Sequence, residues 1–211
     1  MKLAQDTPTQ LQLFTDFGRP PLPDPMPTSE PPDPPPAKIM LVHGLGRSCT
    51  SGVARALHLT GWPMAADEED LLPPHVSNPW GHYEDRRAVE LNERILYDMG
   101  GYSWDQPPPI SALHHKATQY TSWVQEYVRG RVSHHGLFIN WGVKDPRITL
   151  LLPIWEAAFR PWSHEVEPIF VHVSRWEHRV QESYFERDRK PTHATSLMAA
   201  GYREHARTFQ M

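Results

Sequence analysis

The chain has 211 residues and a formal net charge of −4, from 21 Lys and Arg against 25 Asp and Glu. That length implies one domain, or one domain with a tail, and the charge gives no general footprint for nucleic acid. Cys49 is the single cysteine, so an internal disulfide is excluded; the N-terminus lacks the apolar core of a signal peptide, and no run approaches the ~18 apolar residues of a spanning helix. The expectation is a cytoplasmic protein with no membrane or nucleic-acid partner.

In chain order, GRPPLPDPMPTSEPPDPPP, residues 18 to 36, comes first. Proline lacks the donor N–H and fixes φ, so this stretch cannot form a helix or central strand. Residues 1 to 37 are read as a disordered, Pro-rich leader and 38 to 211 as the folded domain. KIMLVH (38 to 43), LFINWGVK (137 to 144) and PIFVHVS (168 to 174) are short apolar runs suited to buried parallel strands. Between and after them lie helical patterns. TSGVARALHLTG sets Val53, Ala56 and Leu57 on one face and closes on Gly61. EDRRAVELNERILYDMGG carries Val89, Leu91, Ile95 and Leu96 at helical spacing. QYTSWVQEYVRGRV, ITLLLPIWEAAF, EHRVQESYFERD and THATSLMAAGYREHARTF read as further helices. Strands alternating with helices indicate an α/β fold with a central parallel sheet flanked by helices.

Ligands of open α/β sheets bind at the carboxyl ends of strands, which singles out VHGLGRSCTS after the first strand. Against the template G-x-x-x-x-G-K-[ST], Gly44 and Ser51 fit, Cys49 replaces the second glycine and Thr50 the lysine. A metal-dependent triphosphatase is poorly supported. Gly44, Gly46, Arg47, Ser48, Cys49, Thr50 and Ser51 can instead hold a phosphate or sulfate through a guanidinium, hydroxyls and helix N-terminal amides. Cys49 through Arg55 also fits C-x-x-G-x-x-R, the loop of cysteine-dependent phosphatases. That cysteine normally follows its strand at once, whereas GLGRS intervenes here.

Four motifs then follow in order: NPWGHYED from residue 78, SWDQPPP from 103, WGVKDPR from 141, and VHVSRWEHRVQES from 171. On these residues the chain resembles the bacterial and phage-type sulfotransferases that use 3′-phosphoadenosine 5′-phosphosulfate (PAPS). The family shows an R-S-G-T-S loop, N-P-x-G-x-x-E-D, a K-D-P-R strand end, and an arginine followed eight residues later by serine. The resemblance covers 38 to about 209. It implies a P-loop-like three-layer sandwich, with PAPS as sulfuryl donor and a hydroxyl acceptor such as a carbohydrate. It makes the 43 to 51 loop the 5′ site, with Arg47 stabilising charge on the leaving phosphate, and Arg175 with Ser183 the 3′ site. Glu84 is the first candidate for general base, with His82 and Asp85 behind it. In KDPR, Lys144, Asp145 and Arg147 end the second strand at the same sheet edge, and SWDQPPP is read as a substrate-side loop.

No metal is expected: there are thirteen histidines, but the pairs His114-His115 and His134-His135 are adjacent and point apart, and no H-x-x-x-H is present. If position 49 requires positive φ, its cysteine costs ~1–2 kcal/mol. A non-catalytic nucleotide-binding module of the same fold is therefore kept as the alternative, beside the Cys49/Arg55 phosphatase. Family members commonly continue into another strand and helix, so the chain is expected to leave a sheet edge that self-association can cover.

Overall fold

β1 (Ala37–His43) is the middle strand of a three-stranded parallel sheet, flanked by β2 (Trp141–Lys144) and β3 (Val166–His172) in the order β2-β1-β3. The computed structural model describes residues 35–76, 78–136 and 139–209. The Pro-rich stretch through Pro34, and Leu137 and Phe138 of the expected second strand, lie outside the described residues. Val42 registers with Lys144 on one side and Val171 on the other. All three strands therefore end at one edge.

Alternation along β1 divides the apolar side chains between the two sheet faces. Ile39 and Leu41 enter the larger core with Trp141, Val143, Ile95, Leu96, Val124 and Trp155. Val42 enters a smaller cluster with Ala54 and Met64, closed by Val53, Leu57 and Val171. Each of these large side chains contributes roughly 1.5–3 kcal/mol when fully buried. The molecule is thus an α/β fold with a parallel sheet covered on both faces.

The smaller face is covered by α1 (Thr50–Leu59). It ends in a Schellman motif: the Gly61 N–H reaches the His58 carbonyl and the Trp62 N–H the Leu57 carbonyl, with Gly61 at φ +93°. Helices α2 (Arg86–Asp98), α3 (Ile110–His135), α4 (Leu152–Phe159) and α6 (Thr192–Phe209) all supply the larger core. Asp85 caps α2 by accepting from the Arg87 N–H at 2.9 Å. After β2, Asp145 accepts from the Arg147 N–H in the same way and starts a 3₁₀ segment, Pro146–Leu151, that leads into α4. Helix α5 (Glu177–Asp188) follows β3. No helix among the described residues is long and apolar enough to cross a membrane.

Candidate functional site

The loop after β1 is held close to the end of β3. The Val173 N–H donates to the His43 carbonyl at 2.8 Å. Gly44 sits at φ +140°, and a Cβ there would lie 2.1 Å from the Val173 oxygen, so only glycine fits. Two non-glycine residues then take the left-handed region, Arg47 at φ 68° and Cys49 at φ 71°. Cys49 is the N-cap of α1 and makes no side-chain capping bond. A left-handed residue followed by a right-handed one aims successive N–H groups into one concavity, which suits an anion. The conformation feared for Cys49 is therefore real, with its cost of ~1–2 kcal/mol. The thiol itself is exposed.

A cavity of about 390 Å³ opens at this edge of the sheet. The loop contributes Gly46, Arg47, Cys49, Thr50 and Ser51 to its wall; the segment before α2 contributes Asn78, His82 and Glu84. Lys144 and Arg147 enter from the end of β2, Arg175 from beyond β3, and Ser183, Tyr184 and Arg187 from α5. Trp104 closes the wall from the SWDQPPP loop, stacked on Tyr184 with ring centroids 6.0 Å apart. Asp105 next to it pairs with Lys190 at 2.5 Å and ties that loop to the turn after α5.

Lys144 supplies from a neighbouring strand the cation that the loop lacks at Thr50. Its Nζ donates to Ser51 Oγ at 3.3 Å and to Glu84 Oε1 in a short ion pair. The parallel register that sets Lys144 beside Val42 delivers it there. Burial raises the Glu84 carboxyl above the usual range, against the opposing pull of Lys144. His82 is pushed down to about 4 by burial and by the charges of Lys144 and Arg187, so it is neutral at pH 7. Arg147 is neutralised, by Asp145 at 2.9 Å and Glu93 at 2.6 Å.

Arg47 and Arg175 are different. Arg47 Nε donates to Ser183 Oγ at 2.8 Å, and Arg175 Nη1 approaches the Arg47 carbonyl at 3.5 Å. Neither has a carboxylate partner among the described residues. Burial lowers the Arg47 pKa, and so do the neighbouring Arg187 and Arg175 charges. Tyr184 and Asp188 pull the other way, but no carboxylate among the described residues closes on either guanidinium, so the cavity can take an anion.

Most of the residues singled out in the sequence meet here, and five are placed otherwise than expected. Asp85 does not line the cavity: it is fully buried, and its carboxylate is used by the Arg87 N–H, the Tyr127 hydroxyl and Arg131. Ser48 is buried and faces a second cavity instead. Gly44 shapes the loop from outside the wall. Arg55 lies within α1 with its guanidinium 4.7 Å above the Trp80 ring, so it shares no anion cradle with Cys49. Ser183 is bonded to Arg47 rather than isolated with Arg175, which merges the two expected anion sites into one cavity. Sequence reasoning missed Tyr184 and Arg187, and assigned Asn78 no role although it opens the NPWGHYED motif. The only signal of Tyr184 and Arg187 is position: they are one and four residues beyond Ser183 on α5. Among the described residues, no group of three His, Cys, Asp or Glu side chains could hold a metal ion.

In comparison with known proteins, no family model, no curated protein and no solved structure matches the chain.

Proposed function

We propose that the protein is a P-loop-like sulfotransferase that moves a sulfuryl group from PAPS to a hydroxyl acceptor, a carbohydrate being the first class to test. The observation that carries this reading is the pairing of Arg47 and Arg175 without carboxylates in a cavity that also holds Glu84, neutral His82 and Lys144. A donor with phosphate at both its 5′ and 3′ positions fits two adjacent cations, Arg47 on Ser183 and Arg175 against the Arg47 carbonyl.

The residues divide the work by position. Arg47, the first-turn amides of α1 and the Thr50 and Ser51 hydroxyls hold the 5′ phosphate. Arg175 takes the 3′ phosphate. PAPS supplies the sulfuryl group and a phosphate leaving group. Glu84 Oε accepts the proton of the acceptor hydroxyl as that oxygen bonds to sulfur. The sulfur–oxygen bond to the phosphate breaks with its electron pair going to the phosphate, where Arg47 and Lys144 meet the added charge. Burial of Glu84 favours its taking a proton. No metal enters this scheme.

The test is sulfuryl transfer from PAPS to a panel of hydroxylated acceptors, including sugars. Glu84→Gln should lower turnover by about 10²–10⁴-fold while leaving nucleotide affinity within about threefold. Turnover unchanged by Glu84→Gln would sink the base assignment. A chain that binds the nucleotide yet sulfates nothing would instead be the non-catalytic binding module, a reading favoured by the strained Cys49 and by the tight hold of Lys144 on Glu84.

A further inference from the structure

A second cavity, of about 620 Å³, lies between α5 and α6 on the far side of Arg175. Arg175 lines both cavities, so the two adjoin at this arginine. The second wall differs in chemistry. Its apolar side is made by Val173, Val180 and Ala199, and it is also lined by Trp176, a residue 78 % exposed. Arg203 is neutralised by Glu177. Arg207, one turn further along α6, is exposed and has no carboxylate partner among the described residues.

An uncovered indole beside an apolar wall suits a flat ring, because every nucleobase has a face that stacks on an aromatic side chain. A guanidinium with five N–H donors suits the ring nitrogens of a purine, which accept. We propose that this second cavity receives the purine base of the nucleotide whose phosphates lie in the first, with Trp176 as the stacking face and Arg207 as the donor. The C-terminal helix α6 then completes the nucleotide site. This assignment rests on the reading of the first cavity as a site for PAPS.

Two probes separate the halves: adenosine 3′,5′-bisphosphate, which carries the base, and inorganic pyrophosphate, which does not. Both are titrated calorimetrically into the full chain and its variants. Trp176 caps α5 without a side-chain bond and is largely exposed, so Trp176→Ala leaves the fold in place. Trp176→Ala should weaken the bisphosphate roughly tenfold and leave pyrophosphate unchanged. Trp176→Phe should recover most of that loss, and Arg207→Ala should weaken the bisphosphate alone. Equal loss for both probes, or no loss for the bisphosphate, overturns the base site while the anion site stands. Wild-type chain that binds pyrophosphate but no bisphosphate also overturns it. Binding of neither probe overturns the reading of the first cavity and the base site with it.

Discussion

Glu84 and Asp85 are neighbours in the chain, yet they enter opposite kinds of polar environment. Asp85 belongs to a closed network. Its carboxylate takes the Arg87 N–H, the Tyr127 hydroxyl and Arg131, the last two at 2.8 Å. Arg131 spends its remaining donors on the Pro63, Met64 and Gly142 carbonyls and on His135, and its guanidinium lies 4.5 Å above the Trp141 ring. Glu84 belongs to an open network, in which Lys144 is paired but Arg47 and Arg175 are not. Closed networks hold a fold together, whereas unpaired cations in a cavity are available to a ligand. Adjacent acids on one segment can do both jobs because successive side chains there point to different sides.

The sharpest way to break the comparison is to cut the closed network. Arg131→Met leaves the fully buried Asp85 without its cation and should destabilise the fold by about 3–5 kcal/mol, read by chemical denaturation at pH 7. The corresponding cut in the open network should behave in the opposite way. Arg47→Ala should leave the unliganded stability within about 0.5 kcal/mol and weaken adenosine 3′,5′-bisphosphate about 10–100-fold by calorimetry. An Arg47→Ala protein as unstable as Arg131→Met would erase the distinction between the two networks.

Cys49→Gly sharpens it on the backbone side. Relief of the left-handed conformation, ~1–2 kcal/mol, is partly offset by the ~0.5–1 kcal/mol entropy of glycine. A net gain of about 0.5–1 kcal/mol should appear as a raised Tm, and a lowered Tm would show that the cysteine is held by contacts of its own. A further test is pH. His43 is pushed down to about 3, by burial and by the nearby His172, so the unfolded chain binds a proton that the folded chain refuses. Stability should fall as pH drops below the ordinary 6.5 and level off below about 3. His82 and His135, each lowered to about 4, add in the same direction. Between pH 6.5 and 5, His43→Gln should therefore lose stability less steeply than wild type.

How legible these features were in the sequence depends on what fixed them. α5 and α6 run over the residues that periodicity marks, because local spacing sets them. α3 begins at Ile110, nine residues ahead of the expected QYTSWVQEYVRGRV, because Leu113 and Ala117 extend the apolar stripe of Tyr120, Val124 and Val128 toward the N-terminus. β2 starts at Trp141, after the apolar LFIN that the pattern had included. The loop, Glu84, Arg175 and Ser183 could be read from motif and order. The part played by Lys144 could not: it depends on register between two strands about a hundred residues apart. Nor could the fate of Asp85, because nothing local marks Arg131, near the C-terminal end of α3, as a buried cation.

The most direct test of the account is thermal unfolding of the full chain with adenosine 3′,5′-bisphosphate, beside ADP, which lacks the 3′ phosphate. A ligand of the folded state at about 100 times its Kd adds ~2.7 kcal/mol. Tm should rise clearly with the bisphosphate and less with ADP, and the difference should vanish in Arg175→Ala. Equal shifts with the two ligands, or none with either, would contradict the claim that Arg47 and Arg175 form one site for a doubly phosphorylated nucleotide.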